Sequence, residues 1–123
     1  MSAQIVPSLT GDERLQIAKL FLALEGFAEI RDTMPLQYVR ASLLVCGHEG
    51  AGVSEIGAMA NVAQSVASRH LQDLGEKNRH GEPGFGLVEQ DYDPLNRRKH
   101  KVALTPKGAA LAKRMARVLQ CSR

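Results

Sequence analysis

The chain has 123 residues, 44% of them hydrophobic but only 4% aromatic, with no Trp and a formal net charge of +3. That length suits one domain with an aliphatic core, and no apolar run reaches the roughly 18 residues a membrane span needs. Cys46 and Cys121 are too few for a disulfide scaffold; with four scattered His they lack metal-site spacing.

The first residues, MSAQIVPSLTGDER, lack the basic start and long apolar stretch of a signal peptide, so a cytoplasmic setting is expected. Residues 1–11 read as an arm, and Thr10 or Asp12 is placed to cap a helix over 12–31. Ile17, Phe21, Leu24 and Ala28 recur along one face of it, and Leu15, Ala18 and Leu22 form a second row. Two apolar rows imply either burial within the domain or contact with a second subunit. Pro35 fits the first turn of a second helix, with Leu36, Val39, Leu43 and Leu44 inward and Gly47 as its stop. His48–Gly52 reads as a loop.

Ser54 is the expected cap of a short helix to Ala60, with Ile56, Met59 and Ala60 inward. A tight turn over 61–63 leads to a helix starting at Gln64 or Ser65 and running to about Asn78, with Val66, Leu71 and Leu74 buried. Asp73 and Lys77 form an i,i+4 pair on it. Asn78–Gly86 holds three Gly and one Pro and is a loop. Leu87–Gln90 and His100–Thr105 are strand candidates around a long turn, together a β-hairpin. Thr105 then caps a last helix with Pro106 at its first position, and Leu111, Met115, Val118 and Leu119 share one face.

Charge is uneven along this order. Residues 1–50 carry four basic and six acidic side chains, and residues 51–123 carry twelve and seven. The basic side chains crowd at Arg97, Arg98, Lys99 and Lys101, either a solvated hairpin tip or a patch for a polyanion. The unit from Ser54 to Asn78 has the size of a helix-turn-helix. In that geometry the start of the second helix meets base edges in the major groove. Here those positions are Gln64, Ser65, Ala67, Ser68 and Arg69. Gln pairs with adenine, Arg with guanine, and Ala meets a thymine methyl. His70, Arg79 and Lys101 are candidates for the DNA backbone. A basic hairpin directly after such a helix is placed as a wing.

Residues 54–108 resemble the winged helix-turn-helix core of the MarR family of transcriptional regulators. SEIGAMANVAQSVASRHLQDL and DYDPLNRRKHKVALTPKG carry the resemblance. The second is similar to the family's wing signature, Asp-x-Arg followed five residues on by Leu-Thr-x-x-Gly, matched here by Asn96, Arg98, Leu104, Thr105 and Gly108. The resemblance implies a mainly α winged helix with a small β-hairpin, residues 54–78 as helix-turn-helix and 86–105 as wing. It implies a homodimer built from helices 12–31 and 106–121, through Leu15, Ala18, Leu22, Leu111, Met115 and Leu119, bound to a palindromic operator. Asn96, Arg97, Arg98 and Lys99 would lie on the wing.

There are three departures. Asn96 replaces the signature Asp. The loop at 78–86 is long, and Arg79 and His80 there add a phosphate contact or meet another protein. One C-terminal helix stands where the family has a longer pair, which implies a compact regulator without a ligand or cofactor. No nucleophile elbow, phosphate loop or HExxH motif points to an enzyme. Cys46 is expected to be a buried, inert thiol, while Cys121 is the candidate for oxidant sensing. The competing function is a winged-helix interaction module, an antiactivator or co-regulator that binds another regulator instead of DNA.

Overall fold

The computed structural model describes residues 4–93 and 96–121, and their side chains outside 92–100. In chain order the elements are α1 Gly11–Ile30, α2 Leu36–Gly47, α3 Val53–Ala60, α4 Gln64–Asp73, β1 Val88–Asp93, β2 Asn96–Leu104 and α5 Pro106–Gln120. The fold is mainly α with one antiparallel hairpin.

Thr10 begins α1 through a reciprocal cap. Its hydroxyl accepts from the Glu13 N–H at 3.1 Å, and the Glu13 carboxylate accepts from the Thr10 N–H at 2.8 Å. Neither expected apolar row of α1 is its buried face. Lys19, Ala23, Gly26 and Phe27 are buried instead, while Ile17 and Phe21 stand 58% and 63% exposed. The reason lies in Gly26: a Cβ there would overlap the side chain of Leu111, so α1 and α5 meet where α1 is thinnest. Arg114 and Glu29 pair across the same contact, Nη2 to Oε1 at 3.1 Å. Leu111 and Met115 thus serve this internal contact and the core, with Met115 6% exposed, rather than an outward face.

Pro35 precedes α2 as its cap residue rather than joining its first turn. Val39, Ala41, Ser42 and Val45 are buried, and Leu36 and Leu43 are exposed, contrary to their expected place in the core. Gly52, not Ser54, begins α3, its N–H donating to Glu55 Oε1 at 3.3 Å. Met59 also points outward, 41% exposed.

Helix α4 stops at Asp73, short of the expected Asn78. The carbonyls of Asp73, Leu74 and Gly75 accept from the N–H groups of Phe85, Leu87 and Gly86 at 3.1, 2.8 and 2.9 Å. Chain returning from a distance takes the acceptors that a longer helix would have used. Lys77 is consequently off the helix, and Asp73 turns to Arg79 instead.

The expected turn over 91–99 is largely strand. β1 and β2 pair from Val88↔Leu104 to Tyr92↔His100, with an irregularity before Asp93↔Asn96. The other edge of β2 is also engaged: Gly50 N–H donates to Val102 O and Val102 N–H to Ala51 O, both at 2.8 Å. Phe27, Val45, Ile56, Leu71, Leu74, Leu87, Val88 and Val102 are the largest fully buried side chains. With Met115 of α5 they join every element into one largely aliphatic core, in keeping with the scarcity of aromatics.

Candidate nucleic-acid interface

Helices α3 and α4 are joined by a turn in which Asn61 adopts left-handed backbone (φ 58°, ψ 45°), a conformation Asn tolerates better than most residues. The Val62 N–H returns to Gly57 O at 3.0 Å. Gly57 lets the two helices pack closely: a Cβ there would lie 3.2 Å from that of Ala67 and 3.3 Å from Val62 O. The Arg40 guanidinium donates to Ala60 O at 2.7 Å, tying α2 to the carbonyl end of α3. Arg40 escaped sequence reasoning because its partner is a main-chain atom twenty residues away.

On α4, Ala67 and Leu71 are buried and Val66 is half-buried. Ser65, Ser68, Arg69 and Gln72 are exposed at i, i+3, i+4 and i+7, so they form one polar stripe. Gln64 is exposed at the start of the helix, the end with positive dipole. Of the five expected base-reading positions, Ala67 is the exception: it is 3% exposed against α3 and meets no outside ligand. Gln72 was missed, although its spacing from Ser65 and Ser68 carried the signal.

The wing is fastened at its base. Thr105 Oγ1 donates to Gly86 O at 2.6 Å and accepts from the Gly108 N–H at 3.0 Å. Gly86 has φ +70°. The Leu-Thr-x-x-Gly spacing thus joins the hairpin to the first turn of α5. Lys101 is exposed on β2. Asn96, Arg97, Arg98 and Lys99 belong to β2 by backbone; the contacts expected of their side chains lie outside the described residues.

Neither a protein-family model nor a curated protein sequence matches the chain. Solved structures do. One is the transcriptional repressor CouR bound to a 23-mer DNA duplex: 23% identity, TM-score 0.57, covering 95% of this chain and 80% of that one. E. coli MarR in its apo form gives 20% identity and TM-score 0.57, with 95% and 79% covered. The S. aureus MepR–DNA complex gives 17%, 0.61, 87% and 77%. The fold is the MarR winged helix. CouR is described as a transcriptional repressor.

Within this MarR-type fold, His70 and Arg79 are not beside the stripe. His70 is half-buried, its ring edge-on to Tyr38 at 5.7 Å between centroids. Burial pushes its imidazole below the ordinary value, assisted by Arg79 and Arg40 and opposed by Asp73. Arg79 follows the far end of α4, where its Nε stands 4.0 Å from Asp73 Oδ2. A ten-residue helix is about 15 Å long, so Arg79 is remote from Gln64. The 78–86 loop is folded: Asn78 Oδ1 accepts from the His80 and Glu82 N–H groups at 2.9 and 3.0 Å. Cys46 is half-buried in α2, and burial raises its thiol above the usual range; Cys121 is exposed after α5. No described helix is long and apolar enough to cross a membrane, and no three metal-ligating side chains gather among the described residues.

Proposed function

We propose that this chain is a sequence-specific double-stranded-DNA-binding transcriptional regulator, a repressor that acts as a homodimer on a palindromic operator. The polar stripe on α4 carries the reading: Ser65, Ser68, Arg69 and Gln72 stand free of the core on a helix whose positive end is open. Gln and Arg supply bidentate base contacts, and Ser reaches bases or phosphates. On the wing, Arg97, Arg98 and Lys99 supply minor-groove or phosphate contacts, supported by Lys101. CouR and MepR, which share the fold, are bound to DNA in their structures.

Dimerisation is supported by α1. Leu15, Ile17, Leu20, Phe21 and Leu22 are all exposed in the single chain, as is Leu119 on α5. An apolar surface of that kind marks an interface. Leu15, Ala18 and Leu22 also border a groove of about 390 Å³ with Arg117, Val118 and Cys121. The chain then acts as one winged-helix unit with α1 and α5 as dimer arms. Two recognition helices would enter successive major grooves, with half-site centres about 34–36 Å apart. Bound across a promoter, the dimer excludes polymerase.

The test is selection of the purified protein on random duplex DNA, with sequencing of the retained pool. Enrichment of an inverted repeat is expected. A pool with no enriched sequence, from folded protein at low salt, overturns the reading in favour of a winged helix that binds another protein.

A further inference from the structure

Asp73 is out of place by helix electrostatics. It closes the C-terminal turn of α4, where the dipole is negative. It is also only 9% exposed, in surroundings where a carboxylate is costly unless its oxygens are satisfied. Three groups satisfy it. The Tyr38 hydroxyl donates to Oδ2 at 2.8 Å, the Arg79 main-chain N–H donates to Oδ1 at 3.3 Å, and the Arg79 Nε stands 4.0 Å from Oδ2. The Tyr38 ring is itself held edge-on between His70, at 5.7 Å, and Phe85, at 5.4 Å.

The remaining buried contacts of α4 come from Ala67 and Leu71. These apolar contacts hold the helix against the core, and main-chain bonds from Phe85 and Leu87 hold the carbonyls of Asp73 and Leu74. The hydrogen bonds at Asp73 are directional. A tilt of about 5° about that end moves the start of a 15 Å helix by about 1 Å. Recognition groups tolerate only about 0.5 Å of displacement.

We propose that Tyr38 and Arg79, acting through Asp73, position the recognition helix and so set base discrimination from the end of α4 remote from its reading start. They are positioning residues; the discriminating contacts belong to the stripe. The inference rests on the DNA-binding reading above. It also gives the 78–86 loop a task, since Arg79 and Phe85 bring that loop to Asp73.

The experiment compares binding to the selected duplex and to a scrambled duplex of equal composition, at one salt concentration, for the parent, Tyr38→Phe and Asp73→Ala. Tyr38→Phe removes one hydroxyl and keeps the ring, so it preserves the packing against His70 and Phe85. Displacing the reading groups acts like a mismatched base pair, so a fall of at least about 5-fold is expected in the ratio of specific to non-specific affinity, with non-specific affinity unchanged. Asp73→Asn retains an acceptor for Tyr38 and is expected to fall between parent and Asp73→Ala. Should Asp73→Ala fail to fold, Tyr38→Phe still decides. A Tyr38→Phe protein that melts earlier yet keeps the parent ratio overturns the positioning role and leaves a stabilising contact only. A parent that does not discriminate between the duplexes overturns the DNA-binding reading itself, a different result.

Discussion

Gly108 packs so closely beneath the wing that a Cβ on it would overlap the carbonyl oxygen of Leu87. The obstacle is backbone, which cannot swing aside as a side chain would. The neighbouring Thr105 hydroxyl bonds to Gly86 O and the Gly108 N–H in the same corner. Gly108→Ala is therefore expected to cost about 2–4 kcal/mol of unfolding free energy. Gly11→Ala is the control: nothing lies within 4 Å of a Cβ there, and the change should be neutral or stabilising by less than about 1 kcal/mol. Urea denaturation of both variants measures the difference; equal midpoints would refute the packing argument.

Arg69→Ala is expected to lose about 1–3 kcal/mol on the preferred duplex and to relax base preference at one position of each half-site. Gln72→Ala, on the same stripe, should relax a second position. Repeating the random-duplex selection with each variant reads this directly. Variants that enrich the parent repeat with unchanged stringency would remove these residues from the interface.

Arg97→Ala and Lys99→Ala should behave differently from the stripe. Phosphate contacts release counterions, so each loss should weaken all sequences alike and flatten the slope of log affinity against log salt by about 0.9. Fluorescence anisotropy over a salt series gives the slope. An unchanged slope in both would mean the wing does not engage phosphate.

Leu22 stands 54% exposed and borders the groove between α1 and α5. Leu22→Lys should leave the fold intact, since the core does not contain it, while converting dimer to monomer and abolishing binding to the repeat. Sedimentation velocity and circular dichroism together test this. A variant that remains dimeric would move the interface off this face.

His70 supplies a pH dependence. Its folded-state pKa lies below the ordinary 6.5, chiefly through burial. The folded state thus favours the neutral ring. The contribution to stability is complete above about pH 6.5 and is lost as pH falls through the lowered value, because the unfolded chain binds the proton first. His70→Gln should show a smaller fall in Tm between about pH 7.5 and pH 5 than the parent. Matching falls would indicate that other groups govern the acid limb.

The elements themselves were legible in sequence because their signals are local. Thr10 with Glu13 and Thr105 with Pro106 mark helix starts through contacts within one turn. The exposed positions Gln64, Ser65, Ser68 and Arg69 were readable for the same reason: polar residues opposite an apolar row face outward.

Tertiary structure decided what depends on distant partners. Helix α4 ends at Asp73 because chain from 85–87 takes its last carbonyls, and no local propensity announces that. Arg79 of the same loop reaches Asp73, and Tyr38 of α2 makes His70 a packing residue. Leu111 turned inward because Gly26 lets α5 approach α1, Met115 joined the core, and Ala67 vanished beneath Gly57. A sequence states which side chains are apolar or polar along a helix. Which face of α1 meets its own domain, and which is left over for a second copy, is settled only when close-packed neighbours compete for the same surface.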